Sequence, residues 1–132
     1  MYLSKIFKNL KNKNLQEKNL NTFILLNPKN EEAKFKFEQN IVFNPKSEIS
    51  YLYLSKIFKK LKDKNLQEKN LNTVILLNPK NEEAIYNLAK LKLESSDYQK
   101  SKELNDRLNN ICDKFCNQSK KLKIEIENLS KK

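Results

Sequence analysis

The 132-residue chain contains no glycine, no histidine and no tryptophan, and one arginine, Arg107, stands beside 26 lysines. Each absence closes off a class of structure or chemistry. Without glycine there are no phosphate-cradling loops, no tight hairpins needing positive φ, and little scope for β architecture. Without histidine the usual proton shuttle at neutral pH is missing, and so is the commonest metal ligand. With one arginine the chain lacks the forked donor that grips phosphate and guanine in two places at once. No 18-residue apolar run occurs, and the first residues, MYLSKIFKNLKNK, lack the apolar core of a secretion signal. The chain is therefore expected to be soluble and cytoplasmic, with no membrane partner.

Cysteine is scarce as well: Cys112 and Cys116 are the whole complement. A metal site needs further ligands that the sequence does not supply. Spaced i,i+4, the two would lie on one face of a helix, a poor geometry for a disulfide, so they read as reduced structural thiols. Neither has a histidine to activate it, and the carboxylates are scattered among lysines as on a solvated face. The sequence thus predicts no enzyme and no cofactor.

What the chain does have is repetition. Residues 2–33 recur at 53–84, an offset of 51, with only three differences in 32 aligned pairs: Asn9/Lys60, Asn12/Asp63 and Phe23/Val74. Self-similarity at such a period marks stacked supersecondary units. Leu3, Ile6, Phe7 and Leu10, like Leu54, Ile57, Phe58 and Leu61, follow the i, i+3, i+4, i+7 spacing of a helix face. Asn-Pro pairs at 27–28, 44–45 and 78–79 punctuate the chain, and each reads as ending one helix and capping the next. Glu31/Glu32 and Glu82/Glu83 then fall in a first helical turn, where negative charge suits the helix dipole. Pro45 and Pro79 are 34 residues apart, one helix-turn-helix unit. Pro28 and Pro45 are 17 apart, half a unit, so the offset of 51 is one and a half units.

With that period the chain resembles the tetratricopeptide repeat (TPR) family. In residues 46–79, Tyr51 stands at the family's first large aromatic and Leu54-Ser55 at its leucine-small pair. Phe58 takes the next aromatic position, Leu71 and Val74 the packing positions of the second helix, and Pro79 the closing proline. In 80–113, Leu88-Ala89 is the leucine-small pair, Ser96-Asp97-Tyr98 the turn, and Ser101 the small residue after it. Segment 29–45 matches only a second helix, with Glu32-Ala33 and Phe37 in place. Gln16 and Gln67 replace a small alanine, and Lys92 an aromatic.

The resemblance implies an all-α helix-turn-helix solenoid of about seven helices, near 2–13, 15–27, 29–43, 46–63, 66–78, 80–95 and 98–116. Its units are about 1–28, a half-unit 29–45, 46–79 and 80–113, and residues 117–132 form a capping helix or tail. A strand is the competing reading for the alternating KLKIEIE at 121–127. Three helices per offset would set the copies at 2–13 and 53–64 antiparallel. The array would then re-pair its helices or leave Phe35, Phe37, Val42 and Phe43 partly exposed, which favours a homodimer.

The resemblance further implies a concave groove, lined by first helices, that grips a peptide or helix of a partner protein. The lining residues become Lys5, Lys8, Ile49, Leu52, Lys56, Lys59, Lys60, Tyr86 and Lys90. Six are lysines, which fits an acidic ligand. These lysines read equally as a solvated face. The asparagine-rich carboxylate clamp of some family members is not reproduced, since Leu52 and Lys56 replace its lysine-asparagine pair. A net charge of +11 and pI of about 9.6 keep weak nucleic-acid binding as an alternative. A further alternative is a fragment of a larger TPR protein with no activity of its own.

Overall fold

The computed structural model describes residues 31–131, which form six α-helices and no strand. They are α1 (Glu31–Phe43), α2 (Glu48–Lys60), α3 (Lys64–Leu77), α4 (Glu82–Glu94), α5 (Tyr98–Ile111) and α6 (Cys116–Ser130). Residues 121–127 lie inside α6, so the strand reading is overturned. The helices expected at 2–13 and 15–27, and the relative direction of the two copies, lie outside the described residues. The chain divides into two compact units, Met1–Asn70 and Leu71–Lys132, with the division inside α3.

Short polar side chains start α2, α3, α4 and α5. Ser47 caps α2 and accepts from the Ser50 amide, Asn81 caps α4 and accepts from Ala84, and Asp97 caps α5 and accepts from Lys100. Asp63 does the same ahead of α3, accepting from the Leu66 amide at 3.1 Å. The Asn-Pro pairs are not the caps. Asn78 and Pro79 form the turn itself, where the Asn78 side chain accepts from the Lys80 amide at 3.1 Å. The cap comes three residues after the asparagine, at Ser47 and at Asn81. Lys62 and Ser96, again 34 apart, take left-handed φ of 60° and 62° just past α2 and α4. There the Asp63 and Asp97 amides reach back to the Phe58 and Lys92 carbonyls, so both helices end in the turn that glycine usually makes.

In the first unit α1 packs on α2. Ala33 and Phe37 meet Tyr53, Leu54, Ile57 and Phe58 in one apolar cluster, with Ile41, Ile49, Leu61 and Leu66 at its edge. The Phe37 and Tyr53 rings stack at 5.8 Å. At the α1–α2 turn the buried Asn40 amide donates to the Ser50 and Ser47 hydroxyls, and Ser47 Oγ bonds Ser50 Oγ at 2.9 Å. Phe37, one of the four side chains expected to be partly exposed unless the helices re-paired, is 1% exposed because it faces this cluster. Phe35, Val42 and Phe43 are exposed.

In the second unit α4 packs on α5, and α5 on α6. Ser101 donates to the Ala89 carbonyl at 2.7 Å, a small-on-small contact that lets α4 and α5 approach closely. Between α5 and α6, Asn105 Nδ2 donates to the Ser119 carbonyl at 3.0 Å and Ser119 Oγ returns to Asn105 Oδ1 at 2.9 Å. The period is visible in burial too. Ala33, Lys36, Phe37 and Asn40 on α1 are buried, as are Gln67, Asn70, Leu71 and Val74 on α3 and Ser101, Leu104, Asn105 and Leu108 on α5. Each set is the previous one moved by 34.

The cysteines are not the thiol pair expected on one helix. They form a disulfide, with Cα atoms 5.3 Å apart. The helix stops between them: Cys112 is the extended C-cap of α5, Cys116 opens α6, and the break swings the two sulfurs together.

Candidate functional site

Of the nine residues expected to line a groove, Lys5 and Lys8 lie outside the described residues. Five sit on α2 in the first unit. Leu52 is buried and Ile49 is half-buried against the core cluster, so these two support the helix more than they present a surface. Lys56 lies half-exposed with Nζ 4.7 Å from the centre of the Tyr53 ring, within cation–π range. Lys59 and Lys60, in the last turn of α2, are exposed, where their charge also complements the negative end of the helix dipole. The first unit thus presents a cationic ridge of three lysines at one helix end.

The remaining two, Tyr86 and Lys90, sit on α4 in the second unit and already have partners there. The Tyr86 ring packs on Phe115 with centroids 5.7 Å apart. Lys90 Nζ pairs with the Glu125 carboxylate of α6 at 3.2 Å. Four residues before Tyr86, on the same stripe of α4, Glu82 Oε1 accepts the backbone amides of Asp113, Lys114 and Phe115 at 2.7, 3.1 and 3.1 Å. Partial desolvation pushes the Glu82 carboxyl up. These amides and the Lys114 charge outweigh that push and hold it below the usual carboxylate value. Arg107 reaches the Pro79 carbonyl at 2.8 Å, so the only arginine is spent on the turn before α4. Glu82, Tyr86 and Lys90 therefore form a stripe fastened to the α5–α6 turn and to α6. Periodicity marks the stripe, but its partners lie 29 to 35 residues downstream, beyond any local signal.

Elsewhere in the second unit, α5 and α6 bound a cavity of about 170 Å³ beside Lys102, Asp106, Lys123 and Glu127. Lys102 and Asp106 pair with each other there at 2.8 Å, and none of the nine residues lines it. Among the described residues no group of three or more Cys, Asp or Glu side chains is placed to hold a metal ion. No helix among them is long and apolar enough to cross a membrane.

Caps, left-handed helix ends and buried positions that all recur at 34 residues define a tetratricopeptide-repeat fold. Solved structures agree. The first TPR of Spaghetti (RPAP3), bound to an HSP90 peptide SRMEEVD, is similar at a TM-score of 0.68 with 13% identity, over 84% of this chain and 90% of that one. The Yersinia enterocolitica type III secretion translocator chaperone SycD gives 0.72 and 13%, over 92% and 88%. MamA gives 0.68 and 18%, over 96% and 73%. No family model matches the sequence, and no curated protein matches it.

Proposed function

We propose that this chain is a cytoplasmic, non-enzymatic interaction scaffold that binds an acidic peptide or helix of a partner protein along the first helices of its repeats. The observation that carries the reading is the cationic ridge of Lys56, Lys59 and Lys60 on α2, in a chain of net charge +11. Lys5, Lys8 and Tyr86 belong to the same proposed surface. Lys90 contributes less, because Glu125 already neutralises it. One structural neighbour holds a peptide, SRMEEVD, with three acidic residues, which supports a ligand of this chemistry.

Binding should be measured by fluorescence anisotropy against acidic and neutral peptides of equal length, over a salt series. Affinity for the acidic peptide should fall as salt rises, since the lysines are exposed and screened. K56E/K59E/K60E should abolish it with helicity unchanged. Equal binding of neutral peptides would reduce the ridge to a solvated face. A gel shift with nucleic acid that survives physiological salt would favour the nucleic-acid reading instead.

Exposed apolar side chains on α1 support the homodimer. Val42 is 78% exposed and Phe43 84% exposed, next to each other at the helix end.

A further inference from the structure

We propose that Cys112 and Cys116 form a thiol–disulfide exchange site for a small-molecule disulfide of the glutathione class, and that its state controls how α6 is held. The inference stands whether or not the α2 lysines bind a peptide.

Three observations converge on the five-residue ring 112–116. Both cysteines are half-exposed residues, so a small disulfide can approach the turn that carries them. Cys116 is the first residue of α6, and that helix has no side-chain cap. The positive end of the α6 dipole thus lies at Cys116 and not at Cys112, which assigns Cys116 as the attacking sulfur, with the Glu82 carboxylate on the 113–115 amides opposing it. The ring is also wired to the rest of the unit. Asp113, Lys114 and Phe115, the three residues between the cysteines, donate their amides to Glu82, and Phe115 packs on Tyr86.

The chemistry balances in two steps. The Cys116 thiolate attacks one sulfur of the small disulfide, giving a mixed disulfide and releasing one small thiolate. The Cys112 thiolate then attacks Cys116 Sγ, closing the ring and expelling the second small thiolate. Two protein thiols lose two protons and two electrons, and the small disulfide leaves as two thiols. The reverse sequence opens the ring.

Closing the ring fixes the segment that carries the three amides, so their convergence on Glu82 is prepaid when the bond is made. Opening it lets the turn sample other conformations, loosens the grip on Glu82 and Tyr86, and frees the start of α6.

The test uses the full chain equilibrated across ratios of oxidised to reduced glutathione. Thiol alkylation with mass spectrometry gives the redox state, and hydrogen exchange gives the state of the turn. The proposal expects one two-electron transition within the range of glutathione mixtures. It also expects amide exchange at 113–115 to speed up about tenfold on reduction while the interior of α5 is unchanged. The melting temperature should fall by about 5 °C. C112S/C116S should behave as the reduced protein at every ratio. Labelling of both cysteines in the folded chain at every ratio would overturn the site. A bond that forms without changing exchange at 113–115 would overturn its control of the turn.

Discussion

Glu82 shows how one side chain can serve two ends of a unit. From sequence it reads as a first-turn acid complementing the dipole of α4, and it holds that position. Its larger role is to gather the amides of 113–115, and nothing within α4 announces this. The disulfide is illegible in the sequence for a related reason: the i,i+4 rule holds only inside a continuous helix, and no proline or glycine marks the break between Cys112 and Cys116. Because the Glu82 carboxyl is held below its ordinary value of 4.5, its stabilising effect is present in full above that value and is lost as pH falls through the folded value. Glu82→Gln should cost about 1–2 kcal/mol at neutral pH, after allowing for partial solvent screening. The gap between wild type and variant in urea unfolding should close as pH falls below 4.5 and through the folded value. A gap that persists there would mean the carboxylate charge contributes nothing.

At the scale of the element, periodicity made the helices legible, but their ends less so. The spacing of Leu54, Ile57, Phe58 and Leu61 located α2, and Asp63 and Asp97 now explain where α3 and α5 begin. The run expected at 98–116 stops at Ile111, because Glu82 and the disulfide stabilise a turn that local propensity does not. The absence of glycine excludes tight hairpins that need positive φ, but not the helix ends, where Lys62 and Ser96 adopt it and the reversed hydrogen bond compensates. A side chain in that conformation is strained, and glycine is not. Lys62→Gly and Ser96→Gly should each stabilise the fold by about 0.5–1 kcal/mol, read as a higher urea midpoint with unchanged slope. A loss of stability at either would show that the side chain makes contacts outweighing its strain.

For the whole molecule, the 34-residue rhythm was legible in the prolines and reappears in the burial of α1, α3 and α5. The partners of the α4 stripe were not, since long-range packing leaves no periodic trace. The proposed homodimer belongs at this scale. Light scattering should show a concentration-dependent rise in mass for the wild type, and V42E/F43E should remain at the monomer mass of about 15.7 kDa. Self-association that survives the double substitution would place the contact elsewhere.

The cluster that joins α1 to α2 has a kinetic consequence. Tyr53, Leu54, Ile57 and Phe58 meet Ala33 and Phe37 there, and the chain carries the same four residues again as Tyr2, Leu3, Ile6 and Phe7. During folding, α1 is offered two chemically equal suitors: one within 30 residues on its N-terminal side, the other just beyond the turn at 44–47. Nothing in those side chains distinguishes them, so the search is degenerate, and the choice rests on connection length and on the Asn40–Ser47–Ser50 hydrogen bonds that are made at the turn into the second. Refolding should therefore run in parallel phases, as the two pairings compete for α1. Replacing Leu3, Ile6 and Phe7 with lysine should collapse the kinetics to a single exponential, followed by stopped-flow circular dichroism.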